Sequence, residues 1–300
     1  MSTTLHCQLP LPANFRAAGF FDFHRRDAQQ VAERVLAHTL EKGLLWHGQP
    51  ALLRISLQPE GAAASLLLDS GSHADDAARL TGCVRHMLGL TQPVAEFEAA
   101  LAGHPQLGPL LARQSGLRVP QTASAFEALA WAIIGQQISV AAAVAIRRRF
   151  ILAAGRQHSS GLYCLPDADC VAGMDEATLR AAGLTQGKAQ TLLRLAAEVA
   201  SGRLPLAAWQ QAPDAAAIGS QLAAIRGIGP WTISYALLRG FAWLDGSLHG
   251  DVAVRRNLQR LLQREDKLSA PETERWLAEF APWRALVAAH LWALQAGDGY

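Results

Sequence analysis

The residues best suited to chemistry in this 300-residue chain fall in one stretch, Leu222–Arg255 (LAAIRGIGPWTISYALLRGFAWLDGSLHGDVAVR). Asp251 stands in its last loop, where a helix should begin. A carboxylate fixed there can oppose positive charge developing on a substrate, or orient and deprotonate a water. Trp231 and Tyr235 are four apart and share a helix face, and aromatic faces attract cations by roughly 0.5–2 kcal/mol per contact. Ahead of them, Gly227-Ile228-Gly229-Pro230 allows a tight hairpin and immediate re-entry into a helix. That second helix opens with unpaired N–H groups and a positive dipole end, which suits a phosphate. Taken singly, the glycine pair is a helical corner and the aspartate an N-cap. The information lies in their combination.

Helix, Gly-Ile-Gly hairpin, helix and an aspartate after a short loop resemble the helix–hairpin–helix DNA glycosylase superfamily. Gly227-Ile228-Gly229-Pro230-Trp231-Thr232, with Tyr235 and with Asp251 twenty residues beyond Trp231, is similar to the DNA-3-methyladenine glycosylase II family. The similarity runs from Leu117 to Trp292 and loosely to the N-terminus. It implies that Asp251 faces C1′ of a damaged nucleotide and stabilises an oxocarbenium-like transition state. Trp231, Tyr235 and Trp292 would form the base pocket, with Phe20 adding a wall from the N-terminal domain. Such a pocket favours electron-poor, cationic bases such as 3-methyladenine. Trp231 stands where bifunctional relatives carry the lysine that forms a Schiff base, so a monofunctional enzyme that leaves an abasic site is expected.

The resemblance also assigns the DNA contacts. Gln137, at a break between two helices, would fill the space of the extruded base and offset part of the flipping cost of a few kcal/mol. Gly227, Ile228 and Gly229 would present N–H groups to a backbone phosphate, with Thr232 and Arg226 assisting; many relatives have proline in place of Arg226. Carbonyls of Ile225 and Ile228 would hold a structural monovalent cation, and no other cofactor is expected. Some relatives bind an iron–sulfur cluster through four clustered C-terminal cysteines, but no cysteine follows Cys170 here.

Composition sets the frame for these residues. Half the chain is hydrophobic and 17% is charged, enough for a large core and too apolar for general disorder. Apolar runs are interrupted before reaching membrane-spanning length and no signal peptide is evident at Met1–Phe15, so a cytoplasmic protein (nucleoid-associated if prokaryotic) without a membrane partner is expected. Cys7, Cys83, Cys164 and Cys170 are scattered and match no zinc spacing. Net charge is only +2, unevenly spread: residues 145–264 carry 14 Lys and Arg against 8 Asp and Glu, and the remainder 13 against 17. A basic segment around the hairpin suits a one-sided polyanion footprint. Arg147-Arg148-Arg149 and Arg255-Arg256 read as phosphate contacts or as solvated helix faces.

The elements that must position the site read as mainly α with an N-terminal α+β domain. Over residues 1–89, short apolar runs at Leu44–Trp46, Leu52–Leu57 and Ser65–Leu68 fit an antiparallel meander. Val31–Leu40 is ambiguous, and His73–Leu88 has helical spacing. Residues 90–300 show no convincing strand. Eight or so helices are expected there, in two lobes with the active-site cleft between them. Their starts are marked by a capping box at Ser124-Ala-Phe-Glu127, by Ser139, Asp175 and Thr185, by a second box at Ser269–Glu272, and by Pro282-Trp283-Arg284. The reading is a monomeric base-excision-repair glycosylase acting on alkylated bases in double-stranded DNA. Its rivals are a glycosylase for another lesion and a non-catalytic helix–hairpin–helix module that only grips the DNA backbone.

Overall fold

The computed structural model describes residues 2–294. The N-terminal domain is a five-stranded antiparallel sheet of β1 (Thr3–Leu9), β2 (Glu33–Leu36), β3 (Thr39–Trp46), β4 (Gln49–Gln58) and β5 (Gly61–Leu68), in the order β1-β5-β4-β3-β2. Four strands form the expected meander, and β1 adds to its free edge beside β5. The ambiguous Val31–Leu40 segment is a hairpin: β2 ends, Ala37 takes φ +51°, and β3 begins. His47 and Gly48, both at positive φ, turn β3 into β4 in the two-residue geometry that matches sheet twist. Alternation puts Leu53, Ile55, Ala64 and Leu66 on one face, covered by α1 (Ala17–His24) and α2 (Asp76–Met87) through Phe20, Phe21, Leu80 and Val84.

The body beyond Gly89 contains thirteen helices among the described residues, against the eight or so expected. These are α3 (Val94–Leu101), α4 (Leu107–Arg113), α5 (Ala125–Gly135), α6 (Val140–Ala154), α7 (Ala168–Ala172), α8 (Glu176–Ala181), α9 (Gln186–Ala200), α10 (Leu206–Gln211), α11 (Ala215–Ala223), α12 (Pro230–Phe241), α13 (Val252–Leu261), α14 (Ala270–Ala278) and α15 (Arg284–Ala293). Those not foreseen, α3, α4, α7 and α10, have five to eight residues, too short for a clear period. Two of them start after a proline, with no side-chain cap to mark them.

The caps read from sequence are otherwise in place. Ser139, Asp175 and Thr185 accept the expected backbone N–H groups, and Ser269 with Glu272 forms a reciprocal box. The Ser124 box is only half formed. Ser124 accepts from Glu127 N, but the Glu127 carboxylate is drawn away to Lys42 Nζ and Ala123 N.

The helices pack into two lobes. In one, α5 and α6 meet α9, α11 and α12 around Leu129, Ile133, Leu192, Leu195, Ile218 and Leu222. In the other, α3, α4 and α13–α15 close around Phe97, Leu110, Leu258, Leu277 and Leu286. α12 is the shared wall, giving Ala236 and Leu237 to the first core and Tyr235 and Leu238 to the second. It lies close to α5: a Cβ on Gly240 would come within 3.0 Å of Ala125 Cα. Partly exposed Trp131, Trp231 and Trp292 mark the seam between the lobes.

Candidate active site

The hairpin between α11 and α12 is a closed turn. Ile228 N donates to Ile225 O at 3.0 Å, and both isoleucine side chains are buried as anchors. Gly227 has φ +99°, and a Cβ there would collide with the Thr191 hydroxyl, so both backbone conformation and space require glycine. That hydroxyl lies 3.1 Å from Arg226 O, while Gln136 Nε2 donates to Gly227 O at 3.0 Å and Thr232 Oγ1 at 2.9 Å. Gly229 caps α12 and Pro230 begins it.

Thr232 is therefore corrected. It is 2% exposed and its hydroxyl accepts from Gln136 Nε2, so it braces the hairpin from within and its burial keeps it from a phosphate. Arg226 is exposed beside the turn. With Gln137, Lys188, Arg194 and Gly227 it lines a polar cleft of about 300 Å³. Gln137 sits at the α5–α6 break, exposed and at φ +56°. For a non-glycine residue that backbone is strained, and such strain clusters at functional positions. Ile138 beside it is 38% exposed.

Asp251 is both cap and site. Its Oδ1 accepts Ala253 N at 2.9 Å and Val254 N at 3.1 Å, which starts α13. From the seam between the lobes, Trp231 Nε1 donates to Oδ2 at 3.1 Å and Trp292 Nε1 to Oδ1 at 3.2 Å. One carboxylate is thus clamped between indoles from α12 and α15. Tyr235 completes the group, stacked on Trp231 at 5.3 Å and tilted to Trp292 at 6.4 Å. Asp245, the other acid of the loop, is bound bidentately by Arg284 at 2.7 and 2.8 Å. Lys188 Nζ donates to the carbonyls of Ile134 and Gln136, which ties it to the end of α5.

Phe20 is also corrected. It is 2% exposed and packs on Phe21 and His24 in the sheet-domain core. Phe23, one turn on, is the partly exposed phenylalanine of the helix. Arg239 and Arg26 both lie over its ring at 4.6 Å, and Arg239 also lies 5.6 Å from the centre of Trp292. Burial brings the Arg239 guanidinium down to about 10, with Tyr235 opposing and Arg26 adding to that shift; it remains a cation at neutral pH. Extending the Trp231–Tyr235 stripe by four residues would have found Arg239. Nothing local to Phe23 or Arg26 announces them.

Two arginines of the run are taken up by carboxylates, and the third, Arg149, is exposed and holds a backbone carbonyl. Arg147 pairs with Glu33 at 2.8 Å and Glu127 at 3.4 Å, Arg148 pairs with Asp27 at 3.0 Å, and Arg149 donates to Ala182 O. Fully buried Lys42 joins the same cluster, at 2.6 Å from Glu33 and 2.8 Å from Glu127. Arg147 and Arg148 of the basic segment are therefore spent joining the two domains. At Arg255-Arg256, the first residue keeps a buried Nε without a partner among the described residues and the second is exposed.

Two helical lobes, a glycine hairpin feeding α12, and an aromatic-clamped aspartate at the start of α13 define a helix–hairpin–helix repair fold. Residues 6–124 match the AlkA N-terminal domain, and residues 130–282 match the HhH-GPD superfamily base excision DNA repair proteins. The chain is 30% identical over 230 residues to DNA-3-methyladenine glycosylase 2 of Escherichia coli, covering 72% of this chain and 78% of that one. It belongs to the HhH-GPD superfamily of base excision DNA repair proteins. A probable bifunctional transcriptional activator/DNA repair enzyme AlkA of Mycobacterium tuberculosis is 26% identical over 297 residues; the match takes in 96% of this chain and 57% of the relative's length. In fold it is similar to 3-methyladenine DNA-glycosylase from Archaeoglobus fulgidus, with TM-score 0.78 at 20% identity over 95% of this chain and 97% of that one. No helix among the described residues is long and apolar enough to cross a membrane.

Proposed function

We propose that the chain is a monofunctional DNA glycosylase that extrudes an alkylated base from duplex DNA and hydrolyses its N-glycosidic bond. The observation that carries this reading is Asp251, a carboxylate held at a helix start by two backbone N–H groups and two indole N–H groups. Such a fixed charge needs little reorganisation when the sugar turns cationic. Asp251 opposes the charge at C1′, water supplies the new C–O bond, and the base leaves with the bonding electrons. Trp231 at the hairpin position and Lys188 tied to α5 carbonyls leave no amine to attack C1′, hence hydrolysis without strand cleavage.

The Gly227 and Gly229 N–H groups grip a phosphate beside the lesion, whereas Ile228 N is corrected as a contact because it is spent on Ile225 O inside the turn; Gln137 fills the vacated stack, and the protein acts as a monomer. The Ile225 and Ile228 carbonyls hold a monovalent cation on this reading. Hard oxygen donors suit such an ion, and Ile225 O, already accepting from Ile228 N, has a second lone pair to offer.

The test is release of free base from methylated duplex DNA, wild type beside Asp251→Asn, with abasic sites scored apart from nicks. Asparagine keeps the cap and removes the charge, so a loss of about 100- to 1,000-fold with unchanged melting temperature is expected. Equal release by both proteins would remove Asp251 from its role. DNA binding with no release by either would favour a backbone-gripping module.

A further inference from the structure

The polar cleft of about 300 Å³ beside the hairpin carries charge of one sign. Lys188, Arg194 and Arg226 line it, and no aspartate or glutamate among the described residues does. Arg226 comes from the hairpin and Arg194 from α9, and both are exposed. Neither has an ion pair or a side-chain hydrogen bond among the described residues. Glu176 is bonded to Gln190 of the wall at 3.2 Å but does not itself line the cleft. Arginines elsewhere in the helical body are matched: Arg203 with Glu198, Arg264 with Glu272 and Arg284 with Asp245.

One exposed arginine is ordinarily a solvated side chain. Three cations on one concave surface without an acid repel one another and focus a positive field on whatever enters. The walls are also held in place. Lys188 ties α9 to the end of α5 by two of its three N–H groups, Gln136 ties that end to the hairpin, and Thr191 reaches Arg226 O at 3.1 Å. The first turn of the fifteen-residue α9 supplies Gly187 to the same wall, adding N–H groups that have no helical acceptor. Such a site suits an anion with several oxygens, and forked guanidiniums bind phosphate in particular. Gln137 and Gly227 also line the cleft, so a duplex seated on the proposed wedge and hairpin lays its backbone across it.

We propose that this cleft seats a second backbone phosphate of the duplex, gripped by Arg194 and Arg226, apart from the phosphate at the Gly227 and Gly229 N–H groups. This rests on the glycosylase reading and extends its DNA footprint from the hairpin onto α9. A strand held at two phosphates beside Gln137 is fixed while the base leaves the stack, which offsets part of the cost of extrusion.

The test is the salt dependence of binding to an undamaged duplex by wild type, Arg194→Gln and Arg226→Gln. Arg203→Gln, which removes one positive charge outside the cleft, is the control. Each cleft variant should lower the slope of log K against log salt by up to about 0.9, the value for one phosphate contact, and the control should leave it unchanged. Unchanged slopes in both cleft variants overturn the proposal, and so does an equal fall in the control, which would make the effect one of net charge. Inorganic phosphate is the second probe. If it raises the melting temperature of the wild type but not of the cleft variants, while their DNA slopes stay at the wild-type value, the cleft takes a free anion and the duplex assignment falls. The slopes decide this inference whether or not base is released; base release by the wild type decides the glycosylase reading separately.

Discussion

Two buried groups of cations divide the molecule's work. At the junction of the domains, Lys42 and Arg147 meet Glu33 and Glu127, two positive charges against two negative, with His24 bonded to Glu33 at 2.8 Å. Beside Trp292, Arg26 and Arg239 have aromatic faces and no carboxylate partner among the described residues. The first group is closed: each charge has its counter-charge within the protein, and the geometry joins β2 and β3 to α5 and α6. The second has ring faces and the Pro120 carbonyl in place of carboxylates, and it borders Trp292, which donates to the proposed catalytic carboxylate. Positive charge is therefore accommodated in two ways in this chain, by counter-charges in the first group and by ring faces, a backbone carbonyl and Tyr235 in the second.

The largest test of that contrast removes Lys42. Lys42→Met leaves Glu33 and Glu127 facing each other with one cation between them, and breaking a buried pair in this way costs about 3–5 kcal/mol. Urea titration should show that loss, while base preference at saturating DNA stays at the wild-type value. A shift in preference would mean the two groups act as one.

Acid should act on the closed group through His24 and Glu33, and on two buried histidines outside it. Burial pushes His24 down despite Glu33, and it brings His86 to about 4 and His290 to about 3. These rings stay neutral in the folded protein but take up a proton in the unfolded chain below about 6.5. Their stabilisation is intact above that value and declines as pH falls toward the folded values, by about 1.4 kcal/mol per pH unit for each histidine. Glu33 adds a second stage. Burial raises its carboxyl, but Arg147, Lys42 and His24 overcome this and hold it well below the usual range, so its contribution is present above the ordinary carboxylate value and lost as pH falls through the folded one. Unfolding free energy measured from pH 7 to 4 should fall steadily. A flat profile would count against the buried neutral histidines.

What the sequence made legible follows from how far apart the partners lie. The hairpin, Trp231, Tyr235 and Asp251 fall within about 25 residues, and turn chemistry and helix period suffice to group them. The meander was readable for the same reason, whereas β1 pairs with β5 far along the chain. The arginine run was misread because Glu33 and Asp27 lie 114 and 121 positions away from the arginines they pair with. Phe20 and Phe23 are on one eight-residue helix. Which of them is buried in the sheet-domain core and which stays partly exposed is decided by the domain packing, and no local pattern records it.

The smallest expected effect concerns a neutral tie that belongs to neither group. Gln136 is half-buried and spans from the end of α5 to the hairpin, donating to Gly227 O and Thr232 Oγ1. It thereby fixes the distance between Gln137, the proposed wedge, and the turn proposed to hold phosphate. Gln136→Ala should cost about 1–2 kcal/mol of stability, the net worth of one or two hydrogen bonds with a partner left short. Its signature lies in binding. Duplex affinity should fall several-fold at fixed salt with a nearly unchanged salt slope, because no phosphate-contacting cation is lost. Chemistry from a fully bound complex should persist. If affinity is unchanged, the hairpin keeps its shape through Thr191 and the positive-φ glycine alone. If release from the bound complex falls as steeply as in Asp251→Asn, the hairpin positions Trp231 against Asp251 as well as gripping DNA.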